Sequence, residues 1–207
     1  MAYTTIDDPA IYFNTKLYTG TGSSLANTGV GFQPDLTWIK GRSGATEHVL
    51  TDSVRGVTKE LSSNDDGAEE TVAQGLTAFG SDGFTVGTDG SYNTSSATYA
   101  AWNWKGGTTS GIATNGSTTI TPSAYSFNQT AGFSTLAYTG NQTSGAKLAH
   151  GLGVKPDMVI TKSTAAASGW GVYHKSLGAT YGMLLNTTAA KDDDATAWND
   201  VEPDTVN

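Results

Sequence analysis

The chain of 207 residues contains no cysteine. Disulfide staples, thiolate zinc sites and a cysteine nucleophile are therefore excluded. No compartment follows from this, because a well-packed β-protein needs no disulfides. Basic residues are scarce, 11 Lys and Arg against 19 Asp and Glu, for a net charge of −8. Proteins that grip nucleic-acid backbone or an anionic membrane surface carry a basic face, so neither partner is expected. No apolar run approaches membrane-spanning length, so no membrane insertion is expected. The N-terminus, Met1 to Asp8, has no basic n-region and no apolar h-region and does not read as a signal peptide. Synthesis in the cytoplasm is the expectation. Charged residues are only 14% of the chain, and the good helix formers Leu, Glu, Lys and Arg are correspondingly few.

Glycine is abundant, 26 residues, and Ser, Thr, Asn and Ala fill much of the remainder. This is the composition of short strands joined by many turns. Candidate strands are Phe13–Gly20, Gly31–Lys40, His48–Asp52, Leu76–Phe79, Phe84–Val86 and Tyr99–Lys105. Ser81-Asp82-Gly83 between two apolar runs reads as a hairpin. Turn signals every 8–12 residues or so favour a sandwich or barrel. Residues 1–12 suit a polar arm, and 107–131, rich in Gly, Thr and Ser, suit a connection with edge strands at 118–121 and 125–127.

The pattern then restarts. Phe13-x-Thr15-x-x-Tyr18-Thr19-Gly20 returns as Phe133-x-Thr135-x-x-Tyr138-Thr139-Gly140, an offset of 120 (138 − 18). Gly31…Pro34-Asp35…Lys40 returns as Gly153…Pro156-Asp157…Lys162, an offset of 122 (153 − 31), which also joins Gly56 to Gly178 and Asn64 to Asn186. Loop 141–152 absorbs the two extra residues. Pro-Asp is turn chemistry, since Pro fixes φ and the carboxylate accepts from nearby N–H groups. An internal duplication of about 120 residues follows. The expected units are 1–106, a connection 107–131, and 132–207, the last cut short. Counterparts of the Asp-Gly hairpin and of Tyr99–Trp104 would fall beyond Asn207, and a sheet without them exposes an edge.

These motifs resemble a family of virion proteins abundant in marine bacteriophages. The resemblance rests on Tyr12–Thr15, Phe32–Ser43, His48–Gly56, Phe79–Gly87 and Thr98–Trp102, and the second copy is similar more loosely. It implies an all-β fold of two tandem antiparallel jelly-roll sandwiches, concanavalin- or laminin-G-like. It also implies a place in a tail fibre, another host-contacting appendage or the capsid exterior. The expected role is that of a non-enzymatic structural protein of the virion surface: a tail-fibre adhesin for host glycans, with capsid decoration as the alternative and a glycan hydrolase as a third class. Other virion proteins, a homo-oligomer (a trimer by expectation) and a host-surface glycan are the expected partners.

Hydrolysis by a jelly-roll glucanase needs two carboxylates at alternate positions of one strand. Glu69 and Glu70 are adjacent instead, and no Gly-x-Ser-x-Gly elbow supports a triad. At offset 122, His48 falls opposite Trp170 and His174 opposite Asp52, so the copies share no His site. The acidic runs holding Asp65 and Asp66, and Asp192, Asp193 and Asp194, could supply oxygen ligands to Ca²⁺. No other cofactor is expected. Sugar rings stack on exposed aromatic faces. Trp38, Trp102 and Trp104 read as core, whereas Trp170 in Ser168-Gly169-Trp170-Gly171 reads as exposed, making Trp170, Tyr173 and His174 the ligand candidates.

Overall fold

Strong alternation and central placement build the main sheet. In a computed structural model that describes residues 6–207, six strands pair in the order β1-β9-β3-β4-β5-β6. They are β1 (Phe13–Thr19), β3 (Leu36–Gly41), β4 (His48–Asp52), β5 (Lys59–Ser62), β6 (Glu70–Thr71) and β9 (Thr98–Trp104). A second sheet, in the order β2-β8-β7, is formed by β2 (Leu25–Thr28), β7 (Leu76–Gly80) and β8 (Gly83–Val86). Every pairing is antiparallel. The two sheets face each other across Ile39, Val49, Tyr99 and Ala101 on one side and Leu76, Phe84 and Val86 on the other, closed by Val30, Phe32 and Tyr92. The fold is all-β and sandwich-like. Of the arm expected over residues 1–12, positions 1–5 lie outside the described residues; Pro9–Ile11 forms a single 3-10 turn capped by the Asp8 carboxylate.

Buried polar groups are matched inside this core, as their desolvation requires. Asn93 is fully buried; its amide donates to the Ser23 and Gly87 carbonyls and its oxygen accepts from Thr21 N–H. Its burial leaves its Asn-x-Ser sequence no role as a glycan acceptor. Tyr99 donates its hydroxyl to Gly90 O in the short helix α1 (Gly90–Asn93). Asp35, the Pro-Asp aspartate, is 5% exposed and accepts from Ser53 Oγ (2.7 Å) and from Gly106 N–H (2.8 Å). The motif therefore pins the end of β9, seventy-one residues on.

Beyond the connection lie β10 (Ala124–Asn128), β11 (Phe133–Ala137), β12 (Met158–Thr161), β13 (Gly171–His174), β14 (Tyr181–Leu184) and β15 (Asp192–Asp193). Of the two expected edge strands of the connection, 125–127 lies within β10, which pairs with β11, whereas 118–121 contributes only an isolated bridge, Ile120 to Leu148. The order β12-β13-β14-β15 repeats β3-β4-β5-β6 in register. Leu36↔Asp52 becomes Met158↔His174, Leu50↔Leu61 becomes Val172↔Met183, and Lys59↔Thr71 becomes Tyr181↔Asp193. Each is shifted by 122 (158 − 36). Details follow the same shift. Asn64 Oδ1 accepts from His48 N–H at 2.7 Å, and Asn186 Oδ1 from Trp170 N–H at 3.0 Å. Gly56 and Gly178, at φ 100° and 78°, donate to Asp52 O and His174 O. The Lys59–Glu69 ion pair is replaced by Lys191 over the Tyr181 ring, 3.5 Å from its centroid.

The second half has no strand in β9's place and no facing three-stranded sheet among the described residues. The C-terminal segment covers its inner face instead: Trp198 meets Tyr173 edge-on at 5.7 Å, Tyr173 donates to Glu202, and Val206 O accepts from His150 N–H. The two halves touch through the outer face of the main sheet. Trp170 packs with Leu50 and Leu61, flanked by Leu36 and Trp38, and Phe133 stacks on Trp104 at 6.3 Å.

That contact corrects the expectation for Trp38, Trp102 and Trp104. They are half-buried on the outer face rather than in the sandwich core. The main sheet is covered on both faces, and residues 99, 101 and 103 of β9 take the inner one, so the tryptophans take the other.

Candidate functional site

A cleft of about 590 Å³ opens where the halves meet, lined by Trp38 and His48 of the first half, by Asn64, and by Asn186, Thr187 and Thr188 of the second. The local folding that makes it is the repeated asparagine. Asn64 accepts from the first N–H of β4 and Asn186 from the Trp170 N–H just before β13, so both amides sit at equivalent corners of the two sheets. Asn64 Nδ2 also donates to Glu47. Trp38 meets Trp102 edge-on at 6.2 Å. Burial, and secondarily the nearby Lys40, hold the His48 imidazole below its ordinary pKa, so it is neutral at pH 7. The lining is thus aromatic, amide and hydroxyl, with no charged side chain. Such a surface offers an apolar face for stacking and donor–acceptor groups for hydroxyls. No carboxylate lines it among the described residues, and Glu47 stands behind it as the acceptor of Asn64 Nδ2.

A smaller cleft of about 380 Å³ lies in the lengthened loop, against Tyr138, Asn141, Gln142, Thr143 and Ser144. Tyr138 is 43% exposed.

The sequence-expected sites fall elsewhere. Trp170 and Tyr173 are buried, which overturns their reading as exposed ligand residues. Trp170 inserts between the halves and donates its indole N–H to Ser62 O (3.0 Å) and Asp65 O (3.1 Å). Tyr173 faces Trp198 and Glu202, and its hydroxyl pKa is pushed up to about 12 by burial and by that carboxylate. His174 is half-buried, with Nδ1 accepting from Ser176 N–H at 3.2 Å. The acidic runs do not converge. The Asp65 carboxylate accepts from Gly67 N–H, and Asp66 O accepts from Ser168 N–H. Asp192 and Asp193 are consecutive strand residues pointing to opposite sides. Asp194 accepts from the Thr196 hydroxyl and N–H, which hold its carboxyl below the usual range. Among the described residues no three His, Cys, Asp or Glu side chains form a group that could hold a metal ion. None of the helices there is long and apolar enough to cross a membrane.

Sequence reasoning passed over Trp38 and His48 as site residues. The one signal that could have found their cleft is the recurrence of Asn64 as Asn186.

One family model matches residues 8–207, across both halves, and its description is a domain of unknown function, DUF7483. The chain belongs to that family. No curated protein and no solved structure matches it.

Proposed function

We propose that the chain is a non-enzymatic structural module of a bacteriophage virion's exterior, a tail-fibre or adhesin unit that touches a host-surface glycan. In this reading it comprises two tandem jelly-roll units produced by duplication, assembled as a homo-oligomer, a trimer, with other virion proteins. The observation that carries the ligand class is the uncharged aromatic, amide and hydroxyl cleft between the halves. The strand register repeated at 122 residues supports the duplication. Weak contacts to sugar at each copy would gain from multivalent display. The test is glycan-array and host-cell binding by the oligomer, with Thr188→Arg as the variant that fills the cleft without touching the core. Binding abolished by Thr188→Arg supports the reading; binding to no glycan and no host cell rejects it.

Capsid decoration is the second reading, favoured by the exposed apolar side chains Leu17, Met158 and Ile160 on open strand edges. Labelled density spread over the capsid lattice would select it. A hydrolase would release reducing sugar from host polysaccharide.

A further inference from the structure

Strand β3 has a neighbour on each side, whereas β12, its counterpart, has one. Antiparallel backbone groups point alternately to the two neighbours. Arg42 N–H donates to Thr98 O, so Lys40, Trp38 and Leu36 also turn toward β9. Lys175 N–H donates to Asp157 O, so Val159 and Thr161 turn toward β13. The backbone groups of Met158, Ile160 and Lys162 are left pointing outward, with no hydrogen-bond partner among the described residues.

The side chains tell the same story independently. In the first half, Leu36 lies opposite Trp104, Trp38 meets Trp102, and Tyr18 stacks on Tyr99 at 5.1 Å. Their counterparts Met158, Ile160 and Tyr138 are 54%, 39% and 43% exposed. Asp35 accepts from Gly106 N–H, just past β9, but its counterpart Asp157 is exposed and meets only Lys175, at 2.6 Å. Four groups whose counterparts meet β9 or the residues just past it, Met158, Ile160, Tyr138 and Asp157, are exposed.

We propose that the outer edge of β12 accepts an antiparallel strand, and that its occupant is a partner segment of the β9 type. The segment carries aromatic residues opposite Met158 and Ile160, a small or polar residue between them, and a glycine two positions past the aromatic opposite Met158. Charge complementarity fits that occupant: the exposed Asp157 carboxylate faces the backbone N–H donors it brings, as Asp35 faces Gly106. Main-chain bonds supply affinity and the two aromatics supply register, the mode of strand addition at a sheet edge.

The experiment uses the full ¹⁵N-labelled chain and a synthetic peptide with the sequence of Thr98–Gly107. At saturation, amide exchange at Met158, Ile160 and Lys162 slows at least tenfold while Val159 and Thr161, already paired, are unchanged. Replacing both peptide tryptophans by alanine weakens binding at least tenfold. Ile160→Pro removes one outward N–H and abolishes binding; Asp157→Ala, on the surface, weakens it and serves if the proline variant unfolds. Unchanged exchange at saturating peptide overturns the proposal. So does protection of the same amides that rises with chain concentration without peptide, which would make a second copy the occupant.

Discussion

Trp170→Ala removes the side chain on which the two halves rest. Trp170 is 4% exposed, packs with Leu50 and Leu61, and donates to two first-half carbonyls. Truncating a buried Trp costs about 3–5 kcal/mol, and the hydrogen bonds lost with it add roughly 1 kcal/mol. For a chain of this length that corresponds to a fall of roughly 8–24 °C in Tm. Trp170→Phe keeps most of the apolar volume and costs about 1–2 kcal/mol. Denaturant unfolding followed by circular dichroism and tryptophan emission measures both. A double-mutant cycle with Leu61→Ala isolates the contact, and coupling of about 1–3 kcal/mol is expected for residues packed together. A loss below about 1 kcal/mol for Trp170→Ala, or coupling near zero, refutes the reasoning that this indole joins the halves.

The repeated aspartates should behave unequally. Asp35→Ala, which strips a buried acceptor from Ser53 and Gly106, costs about 2–4 kcal/mol, whereas Asp157→Ala, an exposed partner of Lys175, stays within about 0.5 kcal/mol; comparison of denaturation midpoints checks both. Glu60 is buried with Oε2 unpartnered among the described residues, and burial, then the charges of Asp89, Glu70 and Glu47 against a hydrogen bond to Tyr92, hold its carboxyl above the ordinary range. The native state therefore keeps this proton to higher pH than the unfolded chain, and Glu60's contribution to stability falls as pH rises from the ordinary carboxylate range through the raised folded value. Glu60→Gln should flatten that slope and be the more stable protein at pH 7, which a pH series of unfolding curves would show.

Much of the strand pattern was legible in sequence because turn residues and alternation are local. The Asp82-Gly83 hairpin and the strands at 48–52 and 99–104 stand where periodicity puts them. The recurrence of Pro-Asp located β3 and β12, whereas Asn64 and Asn186 were legible only as a register match and not as the corners of a cleft. Trp170 was misread because small neighbours look like an exposed turn. Here they permit close packing instead: a Cβ on Gly169 would meet Leu184 Cδ2 at 2.8 Å, and one on Gly171 would meet Thr161 Oγ1 at 3.0 Å. The partners of Trp170 lie 105 and 108 residues away, beyond the reach of any local pattern. Trp38, Trp102 and Trp104 were assigned to the wrong face for a related reason. Alternation says that one face of a strand is apolar, and it cannot say which face when a second half covers the sheet from outside. The acidic runs were legible as charge but not as geometry, since Asp192 and Asp193 fall on a strand and diverge.

The most direct test of the proposed role is a cryo-EM map of a phage particle proposed to carry this protein. The account predicts paired sandwich-like units on the particle's exterior, in symmetric copies, with a strand laid along the outer edge of β12. Particles that lack the chain, or that hold it inside the capsid, would contradict it.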